Sequence, residues 1–198
     1  MKVNVLSKKS QQTRQKILLS ASRLFLSGGI RALSVRAIAA KAGVSTIGIY
    51  NYFNGTQGIL DALYVEGFEL VYQATGEAKA KPSREDILKS VAAYLRVAQD
   101  HEAHYRLIFG EVDASYEPSN DALIARERAF NRLVNSVGAY LPESANLKEK
   151  RDLALDLWSL VHGYVSLAHH GLRDNSAPKR WRQGVLRAIG VYLDGVDG

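Results

Sequence analysis

The sequence predicts an all-α protein with a small N-terminal helical bundle followed by a larger C-terminal one, and three observations carry that expectation. Apolar residues recur at three- and four-residue steps along the chain, while period-two alternation never persists. Helix-stopping signals, chiefly Gly-Gly, Asn-Gly and Pro, divide the pattern into nine segments. With 198 residues, 46% hydrophobic and 23% charged, the chain can fill one large or two modest cores, which sets disordered and fibrous classes aside.

The first helix is expected from Gln12 to Ser27, with Ile17, Leu18, Ala21, Leu24 and Phe25 on one stripe and Gly28-Gly29 stopping it. A second starts after the N-cap candidate Ser34, buries Val35, Ile38, Ala39 and Ala42, and ends at Gly43. The third is capped by Ser45. Ile49 and Phe53 face inward one turn apart, and Asn54-Gly55 turns the chain. The fourth, Thr56 to Glu77, carries Ile59, Leu63, Phe68 and Tyr72 and is closed by the stretch Lys79 to Pro82.

Ser83 to Asp86 reads as a capping-box start for a helix to Asp100, and a shorter segment runs to Phe109. Gly110 to Asn120 is a loop. Helices then follow at Asp121 to Leu141, ended by Pro142, at Leu147 to Leu172, and at Pro178 to Leu193. The expected organisation is an N-terminal arm and headpiece over 1–55, a connecting helix and linker over 56–82, and a C-terminal domain of six helices, counting the connecting one, whose body spans 83–198.

Charge is divided unevenly. Residues 1–60 hold nine basic side chains (Lys2, Lys8, Lys9, Arg14, Lys16, Arg23, Arg31, Arg36, Lys41) and no acid; the first is Asp61. The total of +6 therefore separates into +9 for that segment and −3 for the rest. Surface charges of both signs are ordinarily interspersed, so sixty residues without a carboxylate point to a polyanionic partner rather than a merely solvated face. The absence of cysteine removes disulfide and thiolate chemistry and suits a reducing compartment. With no apolar signal-type region at Met1 to Gln12 and no spanning run, a cytoplasmic location is expected.

Ile38-Ala39-Ala40-Lys41-Ala42-Gly43-Val44-Ser45-Thr46-Ile47-Gly48-Ile49-Tyr50 has helix-turn-helix spacing. Ala39 is small where two helices cross, Gly43 supplies a turn conformation that other residues avoid, and Val44 and Ile49 pin the helices together. The second helix is then free to enter a major groove, which admits one α-helix and meets its N-terminal residues. Thr46 and Asn51 can hydrogen-bond bases, Ile47 can meet a thymine methyl, and Gly48 allows close backbone approach. Ser34, Arg36 and Lys41 are phosphate-contact candidates.

Through Ile38-Ala39, Ala42-Gly43-Val44-Ser45 and Ile49-Tyr50-Asn51-Tyr52-Phe53 the sequence resembles the tetracycline-repressor (TetR) family over Thr13 to about Leu63. Trp158, His162-Gly163 and Gly171 resemble the WHG-type C-terminal domain of part of that family. The resemblance implies three DNA-binding helices and a six-helix effector and dimer domain. It implies DNA contacts from Ser45, Thr46, Ile47, Gly48 and Asn51, with Tyr50 and Tyr52 touching backbone or bases; for Tyr52, packing between helices is the competing reading. Two positions depart from the family's pattern. Thr56 stands where a lysine usually opens the fourth helix, and Ile47 stands where glycine is common, with the glycine moved to Gly48. Thr56 and the adjacent backbone N–H groups can still serve a phosphate.

The resemblance further implies a homodimer through the last two helices and an effector pocket between helices four and eight. Leu153, Leu157, Leu160, Val161 and Tyr164, then Trp181, Val185, Ala188, Ile189 and Tyr192, form the expected dimer stripes, with monomer core as the competing reading. Candidate pocket residues are Tyr64, Phe68, Tyr94, Tyr105, Phe109, Phe130, Trp158 and His162, a set implying an apolar or aromatic effector. The expected function is a ligand-released regulator, a repressor, acting on palindromic operator DNA.

No cofactor, metal or catalysis is expected. His101-Glu102-Ala103-His104 is one residue short of the zinc-protease spacing, His169-His170 completes no compact ligand set, and no nucleophile elbow or phosphate-binding Gly-Lys loop occurs. The rival readings are a DNA-binding architectural protein without an effector and a metal-dependent helical hydrolase.

Overall fold

A computed structural model of the chain describes residues 7–109, 116–172 and 178–196. These residues form nine α-helices and no strand: α1 (Lys8–Gly28), α2 (Val35–Ala42), α3 (Thr46–Phe53), α4 (Thr56–Ala74), α5 (Arg84–Asp100), α6 (Glu102–Ile108), α7 (Asn120–Gly138), α8 (Leu147–Leu167) and α9 (Pro178–Val196). A 3-10 turn, Ile30–Ala32, follows α1, and a π-helical turn, Ala168–Leu172, follows α8. The all-α class and the helix-turn-helix head are as the sequence predicts.

Local chemistry explains most helix ends. The Ser34 hydroxyl accepts from Ala37 N at 3.1 Å and the Ser45 hydroxyl from Gly48 N at 3.0 Å, each satisfying a donor of the first turn. Ser83 and Asp86 form the reciprocal capping box, and Asn146 with Glu149 forms another ahead of α8. Gly43 closes α2 in the left-handed region at φ 61°, with its N–H on the Ala39 and Ala40 carbonyls.

Several ends differ from expectation. α1 begins at Lys8 because Ser7 caps it by accepting from Ser10 N. α4 stops at Ala74, not Glu77: Thr75 turns its hydroxyl back onto the Val71 carbonyl, and Gly76 takes φ 74°, so the chain leaves the helix before Lys79 to Pro82. α7 ends at Gly138, three residues before Leu141, in turns from Tyr140 N to Val137 O and from Leu141 N to Gly138 O. α8 widens into a π turn at Ala168 rather than running straight to Leu172, and α9 continues past Leu193 to Val196. Most of the expected 110–120 loop lies outside the described residues; 116–119 are non-helical and Asn120 already opens α7.

The chain divides into two compact units, residues 1–68 with 102–125, and 69–101 with 126–198, a partition that differs from the boundaries expected from the sequence at 55 and 82. In the first unit Ile17, Leu18 and Phe25 of α1, Ile38 and Ala42 of α2, Ile49 of α3 and Ile59 of α4 share a buried core. Burial of each large member contributes roughly 1.5–3 kcal/mol. Segment 102–125 belongs here because α6 packs on α1, with Arg106 over the Phe25 ring at 5.9 Å, and because Tyr116 donates to Asp61 at 2.9 Å. Burial, then the Asp61 carboxylate, push the Tyr116 phenol well above its ordinary range, so this tie stays protonated. In the second unit Leu95, Val134, Leu157, Val185, Ile189 and Leu193 are core.

Among the described glycines, Gly58 is the one whose close neighbour is backbone rather than a side chain. A Cβ on Gly58 would stand 1.6 Å from the Phe53 carbonyl oxygen, a backbone atom that cannot step aside without moving the α3–α4 turn. Gly58→Ala is therefore expected to lower stability by about 2 kcal/mol in urea unfolding, an overpacking effect. An unchanged midpoint would show that this turn is looser than its geometry implies.

Candidate nucleic-acid interface and effector cavity

Helix α3 is eight residues long and buries only Ile49 and Phe53. Its other positions face outward: Thr46, Ile47, Tyr50 and Asn51 are exposed and Gly48 is half-exposed. Ile47 is 70% exposed and Tyr50 56%, although both are residues that folding ordinarily covers. Gly48 differs from Gly58 in cause. A Cβ there would meet only Ser45 Oγ at 3.5 Å and Val44 Cβ at 3.8 Å, ordinary contacts, so nothing in the chain's own packing requires glycine.

Around α3 the flanking candidates are accessible. Ser34, Arg36, Lys41 and Ser45 are exposed and Thr56 is half-buried at the start of α4. Lys8, Lys9, Lys16, Arg23 and Arg31 are exposed as well, so the acid-free segment shows its charge at the surface. Tyr52 is the exception. It is half-buried and its hydroxyl accepts from Ser10 Oγ of α1 at 3.2 Å, so its ring joins the helices of the head. Behind α3, Arg14 sits 5.1 Å from the Phe53 ring centroid and 3.4 Å from Glu66. His104 reaches the same Glu66 at 3.4 Å, a packing role for the histidine of the near-miss zinc motif.

A cavity of about 50 Å³ lies within the second unit. Val71 and Thr75 at the end of α4, Val91 and Tyr94 of α5, Phe130 of α7 and Trp158 of α8 are among its walls. The polar groups there are already paired. Thr75 Oγ1 donates to Val71 O at 3.0 Å, Ser90 Oγ lies 3.1 Å from Thr75 O, and Trp158 Nε1 donates to the Tyr94 hydroxyl at 2.9 Å. What remains for an occupant is an apolar surface.

Of the eight sequence candidates for the pocket, this cavity brings together Tyr94, Phe130 and Trp158. Tyr64, Phe68, Tyr105 and Phe109 instead pack on one another inside the first unit, with neighbouring ring centroids 4.8–5.9 Å apart. His162 is half-buried and outside the described lining; burial, then the neighbouring His169, push its pKa below the ordinary value. Sequence reasoning missed Thr75, Ser90 and Val91, because small side chains that leave space give no periodic signal.

The dimer stripe also divides. Leu153, Leu157, Val161, Val185 and Ile189 are buried inside the single chain, which corrects their assignment to an outer surface. Leu160, Tyr164, Trp181, Ala188 and Tyr192 remain partly exposed on α8 and α9, joined by Leu155, Leu167 and Val191, which are more than half exposed.

Residues 17–63 match the model for bacterial regulatory proteins of the tetR family, and residues 87–186, a little over half the chain, match the tetracyclin repressor-like C-terminal domain. The chain belongs to the tetR family. It is a DNA-binding transcription regulator with the helix-turn-helix described above, and the C-terminal match spans the Trp158-to-Gly171 segment. Among similar proteins of this tetR-family chain is the "Probable HTH-type transcriptional regulator YttP" of Bacillus subtilis, 31% identical over 104 residues, half of each chain. The HTH-type transcriptional regulator SrpR of Pseudomonas putida is 24% identical over 165 residues, 83% of this chain and 77% of SrpR. A bacterial regulatory protein in the tetR family from Rhodococcus RHA1 shares the fold at a TM-score of 0.69 and 21% identity, covering 96% of this chain and 98% of its own. Among the described residues, no helix is long and apolar enough to cross a membrane.

The Tyr94–Trp158 bond joins two aromatic side chains of the cavity wall. Tyr94→Phe leaves the indole N–H without this acceptor and is expected to cost about 1 kcal/mol in urea unfolding, with a shift in tryptophan emission. Unaltered stability and emission would mean the bond does not hold Trp158 in place.

Proposed function

We propose that this tetR-family regulator binds a palindromic operator as a homodimer, represses from it, and is released when a small apolar or aromatic effector occupies the second unit. The observation that carries the DNA reading is the pair Ile47 and Tyr50, bare at the surface of a short capped helix inside an acid-free segment. Thr46, Ile47, Gly48 and Asn51 meet base edges, with Gly48 kept small for the DNA and not for the fold. Tyr50 touches backbone or base. Ser34, Arg36, Lys41, Ser45 and Thr56 serve phosphates, aided by the N-terminal dipoles of α2, α3 and α4. Tyr52 orients α3 through Ser10 and turns its hydroxyl edge to the DNA side.

Functionally, 1–55 is the DNA-binding head, 56–82 the connecting helix and linker, and 83–198 the effector and dimer domain, working in the cytoplasm. The partly exposed apolar side chains of α8 and α9 form the self-complementary surface, so that paired heads read half-sites one turn apart or a multiple of it. Helix α4 bears Thr56 at one end and the cavity residue Val71 near the other. A ligand that favours one position of this helix shifts the head between binding and non-binding populations, with coupling of ~1–3 kcal/mol.

Binding to a duplex selected from random DNA, followed by fluorescence anisotropy, tests the site. Thr46→Ala and Tyr50→Ala should each weaken the complex about tenfold or more with unchanged helical circular dichroism. Affinity should fall steeply with salt, as expected when several phosphates are neutralised. Full affinity in both variants would refute the assignment, and equal affinity for every duplex would favour a sequence-blind architectural role.

A further inference from the structure

The cavity of the second unit is too small for a regulator's ligand as it stands. At about 50 Å³ it has room for no more than a few waters, whereas a benzene-sized guest needs on the order of 150 Å³. Space is available on the other side of one wall. Phe130 and Trp158 line the cavity and also line an open groove of about 420 Å³, and they are the two residues common to both. Their rings stack with centroids 5.5 Å apart and 25° between planes. The indole N–H donates to the Tyr94 hydroxyl.

The groove has a different chemistry from the cavity. Arg126, Glu127, Asn131 and Arg151 ring it, beside Leu155. The Arg151 guanidinium lies 5.1 Å from the Phe130 ring centroid, and neither Arg126 nor Arg151 has a carboxylate within ion-pair distance among the described residues. Two guanidinium groups, planar forks matched to carboxylate geometry, therefore stand with the Glu127 carboxylate in a groove that the Phe130–Trp158 wall separates from an apolar interior whose own polar groups are satisfied.

We propose that the stacked Phe130–Trp158 pair is an openable wall joining groove to cavity, and that the effector is an amphipathic organic acid. Its apolar body displaces the wall and fills the cavity, and its carboxylate is held by Arg126 and Arg151. The proposal rests on the effector reading above and names its ligand class.

Calorimetric titration of the full chain with ω-phenylalkanoates of two to eight methylenes, each paired with its neutral primary amide, tests it. The acids should bind about tenfold tighter than the amides. The double variant Arg126→Gln with Arg151→Gln should erase that preference while leaving amide binding in place, and Tyr94→Phe should speed association of both. Equal affinity of acid and amide, or an acid preference that survives the double variant, overturns the carboxylate assignment and leaves an effector site intact. Failure of every acid and amide to bind a protein that still binds DNA would remove the effector reading together with this one.

Discussion

An eight-residue helix has little stability of its own, because nucleation fixes several residues for each hydrogen bond gained. Helix α3 exists because its neighbours hold it. Ser45 caps one end, Asn54 at φ 55° turns the chain at the other, and Ile49 and Phe53 are its buried anchors. Gly43 sets the angle at which α3 leaves α2, and Arg14 covers the Phe53 ring from behind. With every anchor on one side, the opposite side is left bare. The bare face proposed above to meet DNA is thus a consequence of how sparingly the head grips this helix, with Ile47 and Tyr50 left exposed on it.

In the second unit the matter is the pairing of the polar groups that line the cavity. Thr75, Ser90 and Trp158 satisfy theirs within the cavity wall, so the interior offers an apolar guest no competing demand. Next to it, Tyr72 lies between two guanidinium groups, with Arg128 at 4.1 Å and Arg132 at 4.4 Å from its ring centroid. Hydrogen bonding from Arg128 is the first cause of its phenol lying below the ordinary range. Arg132 also donates to the Gly76 carbonyl, fastening the end of α4 to α7, the helix that carries Phe130.

What was legible in the sequence was local. Ser34, Ser45 and Ser83 cap helices because a short hydroxyl before an apolar period has few other uses, and Gly43 and Asn54-Gly55 mark left-handed turns for equally local reasons. Periodicity identified which faces are buried but not what covers them. Leu157 and Ile189 are expected on the dimer stripe, with monomer core as the competing reading, and both are buried within the single chain. Tyr105 and Trp158 are both aromatic at helical spacing, yet one packs against Phe109 and the other borders a void. Voids depend on what is missing, and helix ends such as Ala74 and Gly138 depend on turns that the apolar pattern runs through without a break.

Amide hydrogen exchange of the full chain, alone and with a random-sequence duplex at low ionic strength, tests the central claim most directly. The account predicts that protection gained on binding concentrates in 34–56, greatest over the first turn of α3, while 178–196 is unchanged. A complex that leaves 45–52 exchanging as in the free protein, or no complex at all, would contradict it.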